Sequence, residues 1–591
     1  MPTARSPHVR LLLTYLRPQR RRIAGLAVLL LADLGLQLGL PRVAQGFIDS
    51  ALAGAALQTL VAIGGAYLAV AIVQNLIWVG WHYVAQDIGL IATNRIRADL
   101  TLHCLKLDMS FHNARTPGEM IERIDGDVTQ LTNFLSSFLV QLTINGLLLV
   151  GVLGALVFVD WRVAVPMIVG VTIAAIGARL LTPRLAPLSA KERQASAELY
   201  GFLEERLSGT EDIRANGGTA YVLRRHIERT RNLFYAMLKA TVLGVISWRA
   251  TKTAVDAGAA LAIGIGALLF VDGALSLGAV YLVVVYTDMI REPVEQILRE
   301  FEDLQQATAS MGRVQVLFDT QPKLAALAPA SATPLPTGPL AVSFQDVTFA
   351  YPDASSDDEA VLTALSIRLP AGSTLGVLGR TGSGKTTLTR LLLRLYDPVA
   401  GQVCIGGVDA RQASNNDLRA RVAVVTQDIQ LFSATVRDNL TLFDPAVPDE
   451  KIWAALEAVG LADWARNLPR GLDSTLASGG SGLSAGESQL LAFARAFLRD
   501  PGVVILDEAS SRLDPATEHK LERAVSRLLE GRTGILIAHR LRTLQRVQHI
   551  LILENGRVLE TGLRETLVND PQSRFAQLLS AGDAAIEQAL V

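Results

Sequence analysis

Apolar and polar positions divide the chain into two halves of different character. In the first half they form long apolar runs: one from Ile23 past Asp33 and Gln37 to Ile48, then 57–85, 134–159, 163–178, 257–271 and 274–287. Several approach the ~20 residues a helix needs to cross ~30 Å of hydrocarbon. The pattern predicts an α-helical membrane domain with six transmembrane helices over 23–319. Residues 1–22 carry six arginines (Arg5, Arg10, Arg17, Arg20, Arg21, Arg22). The apolar run behind them is too long for a signal-peptide core, and no small-residue cleavage site stands before it. It reads as a retained span behind a cytoplasmic amino-terminal segment.

The connectors alternate in length. Residues 49–58, 160–162 and 272–273 are short and hold one arginine and no lysine, whereas 86–133 and 179–253 are long, hold many arginines and four lysines between them, and are helical in pattern. Positively charged connectors stay on the cytoplasmic side, so the long ones are expected there, as extensions of the spans. Asp33, Asp256 and Asp288 interrupt the apolar runs. Carboxylates are costly in a bilayer, so these are expected to face a cavity or lie near span ends. Binding a cation or proton, or pairing with Arg249, Lys252 or Arg291, accounts for them equally.

Beyond Asp319 the pattern changes. Residues 320–339 hold Pro322, Pro329, Pro334, Pro336 and Pro339 among Ala, Ser and Thr, a linker composition. From 340 to 580, strand-like runs at 340–349, 374–378, 422–425, 503–506, 534–538 and 550–553 alternate with helical stretches and predict an α/β domain, leaving 581–591 as a tail. The whole chain of 591 residues is 50% hydrophobic and only 19% charged, with a mean hydropathy of +0.32. A soluble domain carries about 25% charged residues, so composition agrees with a membrane half. Fifty-five basic against fifty-six acidic residues give a net charge of -1, which argues against nucleic acid as a partner held by excess positive charge. Cys104 and Cys404 are far apart and form no CxxC or Cys/His cluster, so they read as packing thiols.

The run 375–378 leads directly into Gly379, Arg380, Thr381, Gly382, Ser383, Gly384, Lys385 and Thr386, the phosphate-loop pattern of a P-loop ATPase, with Thr387 opening a helical stretch behind it. Glycines let successive backbone N–H groups turn inward on phosphates, and the helix amino terminus adds partial positive charge. Lys385 is expected to reach the β- and γ-phosphates of ATP, and Thr386 to ligate Mg2+. Downstream, 503–506 is a buried strand ending in Asp507 and Glu508. That arrangement suits one acid for the metal, Asp507, and a general base for the water that attacks the γ-phosphate, Glu508.

Two more motifs fall in order around these. Leu483-Ser484-Ala485-Gly486-Glu487 precedes the acidic pair and Ile537-Ala538-His539-Arg540 follows it. On these residues the chain resembles the ABC transporter family, its exporters in particular, with 483–487 similar to the signature loop and His539 to the switch histidine. The resemblance also marks Gln427 as the Q-loop glutamine near the metal, Tyr351 as the aromatic that stacks on adenine and Asp514 as the D-loop aspartate. Residues 111–124 resemble the first coupling helix, and a second coupling segment is expected near 213–221. The resemblance implies a half-transporter with the six-span domain followed by an ABC-type ATPase domain. Two halves would sandwich two ATP molecules, each between one phosphate loop and the other chain's Ser484 and Gly486. Turnover would export an amphipathic or hydrophobic solute (drug, lipid or peptide) across an inner or plasma membrane in contact with its lipid. A lipid flippase is the alternative. A soluble ABC ATPase should lack the spans, importers usually divide the two domains between chains, and only 22 residues precede the first span, too few for a protease domain. The Ala- and Arg-rich, Lys-poor composition hints at a GC-rich bacterial genome.

The signature departs from the family's Leu-Ser-Gly-Gly-Gln at Ala485 and Glu487, is followed by Ser488-Gln489-Leu490 where Arg-Gln-Arg is common, and has Ser478 where a glutamate is usual. Glu487 brings negative charge toward a triphosphate, while the phosphate-loop, Glu508 and His539 face is complete. A heterodimer with one altered ATP site and a homodimer with two altered sites both fit this asymmetry.

Overall fold

The computed structural model describes residues 7–324, 332–352, 360–427, 429–477, 483–507, 515–538 and 541–580. The chain divides into two units: Met1–Leu105 with Pro117–Thr320, and Lys106–Thr116 with Gln321–Val591. The division is not one cut, because a short piece of the amino-terminal half groups with the carboxyl-terminal unit.

Among the described residues the regular structure of the first unit is helical: α1 (Pro7–Leu16), α2 (Arg20–Leu52), α3 (Leu57–Leu105), then, past α4 (Met109–Asn113) of the second unit, α5 (Pro117–Ile121), α6 (Asp127–Asn133), α7 (Leu139–Val159), α8 (Trp161–Ser208), α9 (Thr210–Ala215), α10 (Thr219–Val271), α11 (Leu277–Met289) and α12 (Arg291–Asp319). Among the described residues five helical stretches are long and apolar enough to cross a membrane: Leu11–Leu52, Leu57–Leu105, Pro117–Val159, Trp161–Leu181 and Thr219–Val271. The sixth predicted run forms α11, which has 13 residues. Its end has a local cause: Pro293 has no N–H to give the carbonyl of Met289, so the helical ladder is interrupted before α12 continues. The long connectors extend the spans as expected. With 53 residues, α10 is about 80 Å long at 1.5 Å per residue, more than twice the hydrocarbon thickness.

Caps and close contacts fix these helices. Asp160 caps α8 by accepting from the N–H of Arg162 at 2.8 Å. At the start of α11, Asp49 at the end of α2 accepts from the Ser276 hydroxyl at 2.8 Å and from the N–H of Gly278 at 2.9 Å, a carboxylate on a helix amino terminus. Helices α8 and α10 meet backbone to backbone: a Cβ on Gly258 would lie 2.8 Å from the Pro166 carbonyl oxygen, and one on Gly170 would lie 2.8 Å from that of Ala254. Small residues at such crossings let helices pack closely where no hydrophobic effect drives them together. Gly258→Ala is therefore expected to lower stability by about 1–3 kcal/mol. Gly264→Ala, where a Cβ meets nothing within 4 Å, gains helix propensity of about 0.5–1 kcal/mol. Thermal unfolding of the two variants in detergent should shift in opposite directions.

Two of the three interrupting aspartates share a partner. Arg291 pairs with both Asp256 at 3.0 Å and Asp288 at 2.9 Å. Asp33 is fully buried, and accepts from the Gln37 amide at 2.9 Å and the Trp81 indole at 3.2 Å. Cys104 and Cys404 are buried in different units.

In the second unit the strands are β1 (Val342–Phe349), β2 (Leu362–Leu369), β3 (Thr374–Gly379), β4 (Ala400–Ile405), β5 (Val408–Asp409), β6 (Val422–Val425), β7 (Val503–Asp507), β8 (Thr533–Ile537), β9 (His549–Glu554) and β10 (Arg557–Leu563). The helices are α13 (Lys385–Leu392), α14 (Asn415–Arg421), α15 (Val436–Thr441), α16 (Asp449–Val459), α17 (Ala462–Arg466), α18 (Ala485–Arg499), α19 (Pro515–Leu529) and α20 (Arg564–Asn569). A six-stranded sheet runs β10-β9-β3-β8-β7-β6, parallel except for β10, and a smaller antiparallel sheet runs β2-β1-β4-β5. Alternation along the buried strands sends Val377, Ile505 and Ile535 into a core with α13 and the small sheet. Val504, Leu506 and Leu536 go into a second core with α16, α18 and α19 on the opposite face.

Candidate ATP site

The parallel strands direct several predicted residues to one edge. Val377 on β3, Ile537 on β8 and Asp507 on β7 stand in one register row. In the row before it, Val425 on β6 is opposite Leu506. Gly379 ends β3, Gln427 lies two residues past β6, and Asp507 is two strands from β3, about 10 Å at the usual strand spacing. A site at the carboxyl ends of parallel strands is where α/β sheets take ligands.

The loop between β3 and α13 is shaped by its glycines. Gly382 and Gly384 have φ of 83° and 100°, a region that favours glycine. A Cβ on Gly384 would come within 2.5 Å of the Leu362 side chain. The N–H of Ser383 donates to the Arg380 carbonyl at 3.0 Å, turning the loop back on itself. Lys385 is buried at the start of α13, and its ammonium donates to the carbonyls of Gly379 and, at 2.9 Å, Arg380. The Ser383 hydroxyl is buried and has no hydrogen-bond partner among the described residues. Arg380, Thr381 and Thr386 are exposed, whereas Thr387 is buried in α13.

A buried ammonium, an unsatisfied buried hydroxyl and a glycine cradle that a Cβ would fill are suited to a polyanion. The Thr386 hydroxyl at the amino end of α13 and the Asp507 carboxylate are hard oxygen donors of the kind Mg2+ takes.

Tyr351 lies just after β1. Its hydroxyl shares a hydrogen bond with the Thr387 hydroxyl at 3.0 Å and accepts from Arg390 at 3.0 Å. Its ring stands edge-on to Phe349 at 4.9 Å. The signature residues are elsewhere: Ser484 is the amino-terminal cap of α18, which packs on the opposite face of the sheet from α13. Ser484 and Glu487 form a capping box, in which the Ser484 hydroxyl accepts from the N–H of Glu487 at 3.1 Å. The Glu487 carboxylate accepts from both the N–H and the hydroxyl of Ser484, each at 2.9 Å. Gly486 is buried in the first turn of α18 and Ala485 is exposed. Glu508, Asp514, His539 and Ser478 lie outside the described residues.

Two residues of this neighbourhood escaped the sequence reading. Tyr396 is buried against Phe349 and Tyr351, and Asn113, the last residue of α4, donates to its hydroxyl at 2.9 Å. Asn113 falls within the stretch read as a coupling helix. Of that stretch, only the part up to Thr116 groups with the carboxyl-terminal unit, and α5 belongs to the helical one. Helix α9 occupies the start of the second expected coupling segment, between the long α8 and α10.

Comparison with known proteins matches the chain in two parts. The family model for the ABC transporter transmembrane region matches residues 23–294. The model described as ABC transporter matches residues 362–511. The ATP-dependent lipid A-core flippase of Paraburkholderia xenovorans is 31% identical over 498 residues, 83% of this chain and 82% of the flippase. The fatty acid ABC transporter ATP-binding/permease protein of Mycobacterium bovis is 31% identical over 468 residues, 79% of this chain and 73% of the relative. Among solved structures, a bacterial Atm1-family ABC exporter with ATP bound superposes with a TM-score of 0.77 at 26% identity, over 95% of this chain and 98% of that one.

Proposed function

The chain belongs to the ABC transporter family, as a multi-pass membrane half-transporter whose ATPase domain powers export, and from that premise we propose how its own residues carry the cycle. Lys385 leaves the loop carbonyls for the β- and γ-phosphates, and Tyr351 stacks on the adenine. Thr386, Gln427 and Asp507 would hold Mg2+, which when bound would draw charge from the phosphoryl oxygens. Glu508 takes the proton of the attacking water, His539 contacts the γ-phosphate, and Asp514 lines the interface between the two ATPase domains.

The observation that carries this reading is that β3, β7 and β6 end at one edge of the sheet, with Gly379 ending β3, Asp507 ending β7 and Gln427 two residues past β6. A second copy or a second kind of half-transporter completes the site, because α13 and α18 pack on opposite faces of one sheet. Ser484 and Gly486 of one chain then meet the phosphate loop of the other. The amino terminus and the ATPase domain are cytoplasmic, following the basic long connectors, and the membrane is the inner or plasma membrane. The cargo is an amphipathic or hydrophobic solute: a drug, a lipid or a peptide. The heterodimer reading draws on the Ser484 hydroxyl and N–H, both held by the Glu487 carboxylate.

The test is a paired substitution, Thr381→Cys with Ser484→Cys in one chain, oxidised in lipid nanodiscs with MgATP. A crosslinked dimer from this chain alone supports the homodimer. A crosslink to a different, equally substituted half-transporter and none to itself supports the heterodimer. Monomer under both conditions overturns the sandwiched arrangement.

A further inference from the structure

Tyr396 links two parts of the second unit that local sequence does not connect. Its ring is 5% exposed and stands at 90° to the ring of Tyr351, 5.2 Å away, and 5.6 Å from Phe349. Core filling explains the ring but not the hydroxyl, since a buried tyrosine O–H needs a partner. One partner of the hydroxyl oxygen comes from outside the ATPase fold: the Asn113 side-chain amide on α4, 283 positions away in the chain, donates to it at 2.9 Å. On the other side, the Tyr351 hydroxyl is tied to Thr387 and Arg390 of α13, the helix that begins at Lys385. One line of contacts therefore runs from α4 through two rings to the phosphate helix.

We propose that Asn113 and Tyr396 are positioning residues through which the α4 segment sets the seating of Tyr351, and with it the preference of the ATP site for a purine base. The proposal rests on the reading of Tyr351 as the base platform. Edge-to-face packing is directional, so a Tyr396 ring held by its hydroxyl fixes the plane of Tyr351. Removing the Asn113 amide takes away one hydrogen bond that holds the Tyr396 ring and so favours other ring orientations. By reciprocity, whatever seats α4 favours purine binding, and purine binding seats α4 by the same factor.

The experiment measures displacement of fluorescent TNP-ATP from the full-length chain in nanodiscs by ATP and by CTP. The readout is the ratio of the two dissociation constants, which a loss of general stability does not move. Asn113→Ala is expected to weaken ATP by about fivefold, the size of one net hydrogen bond, and to leave CTP nearly unchanged, so the ratio narrows. Tyr396→Phe, which keeps the ring, is expected to do the same, and Tyr351→Ala to remove the preference altogether. If Tyr351→Ala removes it while Asn113→Ala and Tyr396→Phe keep the wild-type ratio, the link is overturned and the platform reading stands. If Tyr351→Ala leaves the ratio unchanged, the platform reading falls and the link with it.

Discussion

Replacing Glu508 with Gln is expected to lower steady-state MgATP hydrolysis by about 100-fold or more while nucleotide binding persists, because an amide keeps the shape of the carboxylate but cannot take the proton of an attacking water, the role proposed for Glu508. Its neighbour in the chain is Asp507. Asp507 ends β7 in register with Ile537, at the edge where β3 delivers the phosphate loop. Lys385→Ala fails differently. The ammonium is buried and held by the carbonyls of Gly379 and Arg380, so its removal takes away the proposed phosphate contact together with two hydrogen bonds that tie the loop. Binding and turnover are lost together. Phosphate release and TNP-ATP binding in nanodiscs separate the two variants. Glu508→Gln with more than a tenth of wild-type turnover would remove Glu508 from the role of general base.

What could be read in the sequence is what local sterics or solvent impose. The phosphate loop was legible because Gly382 and Gly384 sit at positive φ and a side chain at Gly384 would strike Leu362. The spans were legible because a bilayer requires apolar surface over a set length, and the break after Met289 is implicit in Pro293. Pairings across the fold were not legible, since nothing in local periodicity records them. The Asn113–Tyr396 bond, the Trp81 indole on Asp33 and the Gly170–Gly258 crossing each join helices or loops far apart in the chain. The grouping of α4 with the ATPase unit is of the same kind. Glu487 stands between these cases. Its spacing from Ser484 is the S-x-x-E signature of a capping box, yet sequence reading weighed only its charge.

That double character of Glu487 determines the outcome of changing it. A capping box accepts Glu or Gln equally at its third position, so Glu487→Gln preserves the start of α18 and alters only the charge and the acceptor held against Ser484. A unit charge within about 10 Å of a triphosphate, at an effective dielectric constant near 20, contributes about 1–2 kcal/mol per phosphate charge. Even after screening, its removal should raise apparent ATP affinity or turnover about tenfold at the site that this loop completes. Glu487→Ala also removes the charge, but it breaks the cap at a cost of about 1 kcal/mol and leaves the first turn of α18 less ordered, so it should gain less than Glu487→Gln. The measurement is MgATP hydrolysis against ATP concentration for wild type and both variants, with this chain alone and with a second half-transporter present. A gain in the chain alone means that two copies of this loop complete each other's sites. A gain only in the mixed preparation means that the loop serves a partner's ATP. Wild-type kinetics for Glu487→Gln in both preparations would mean that the carboxylate does not face the triphosphate, and that the Ser484 hydroxyl leaves it freely when nucleotide arrives.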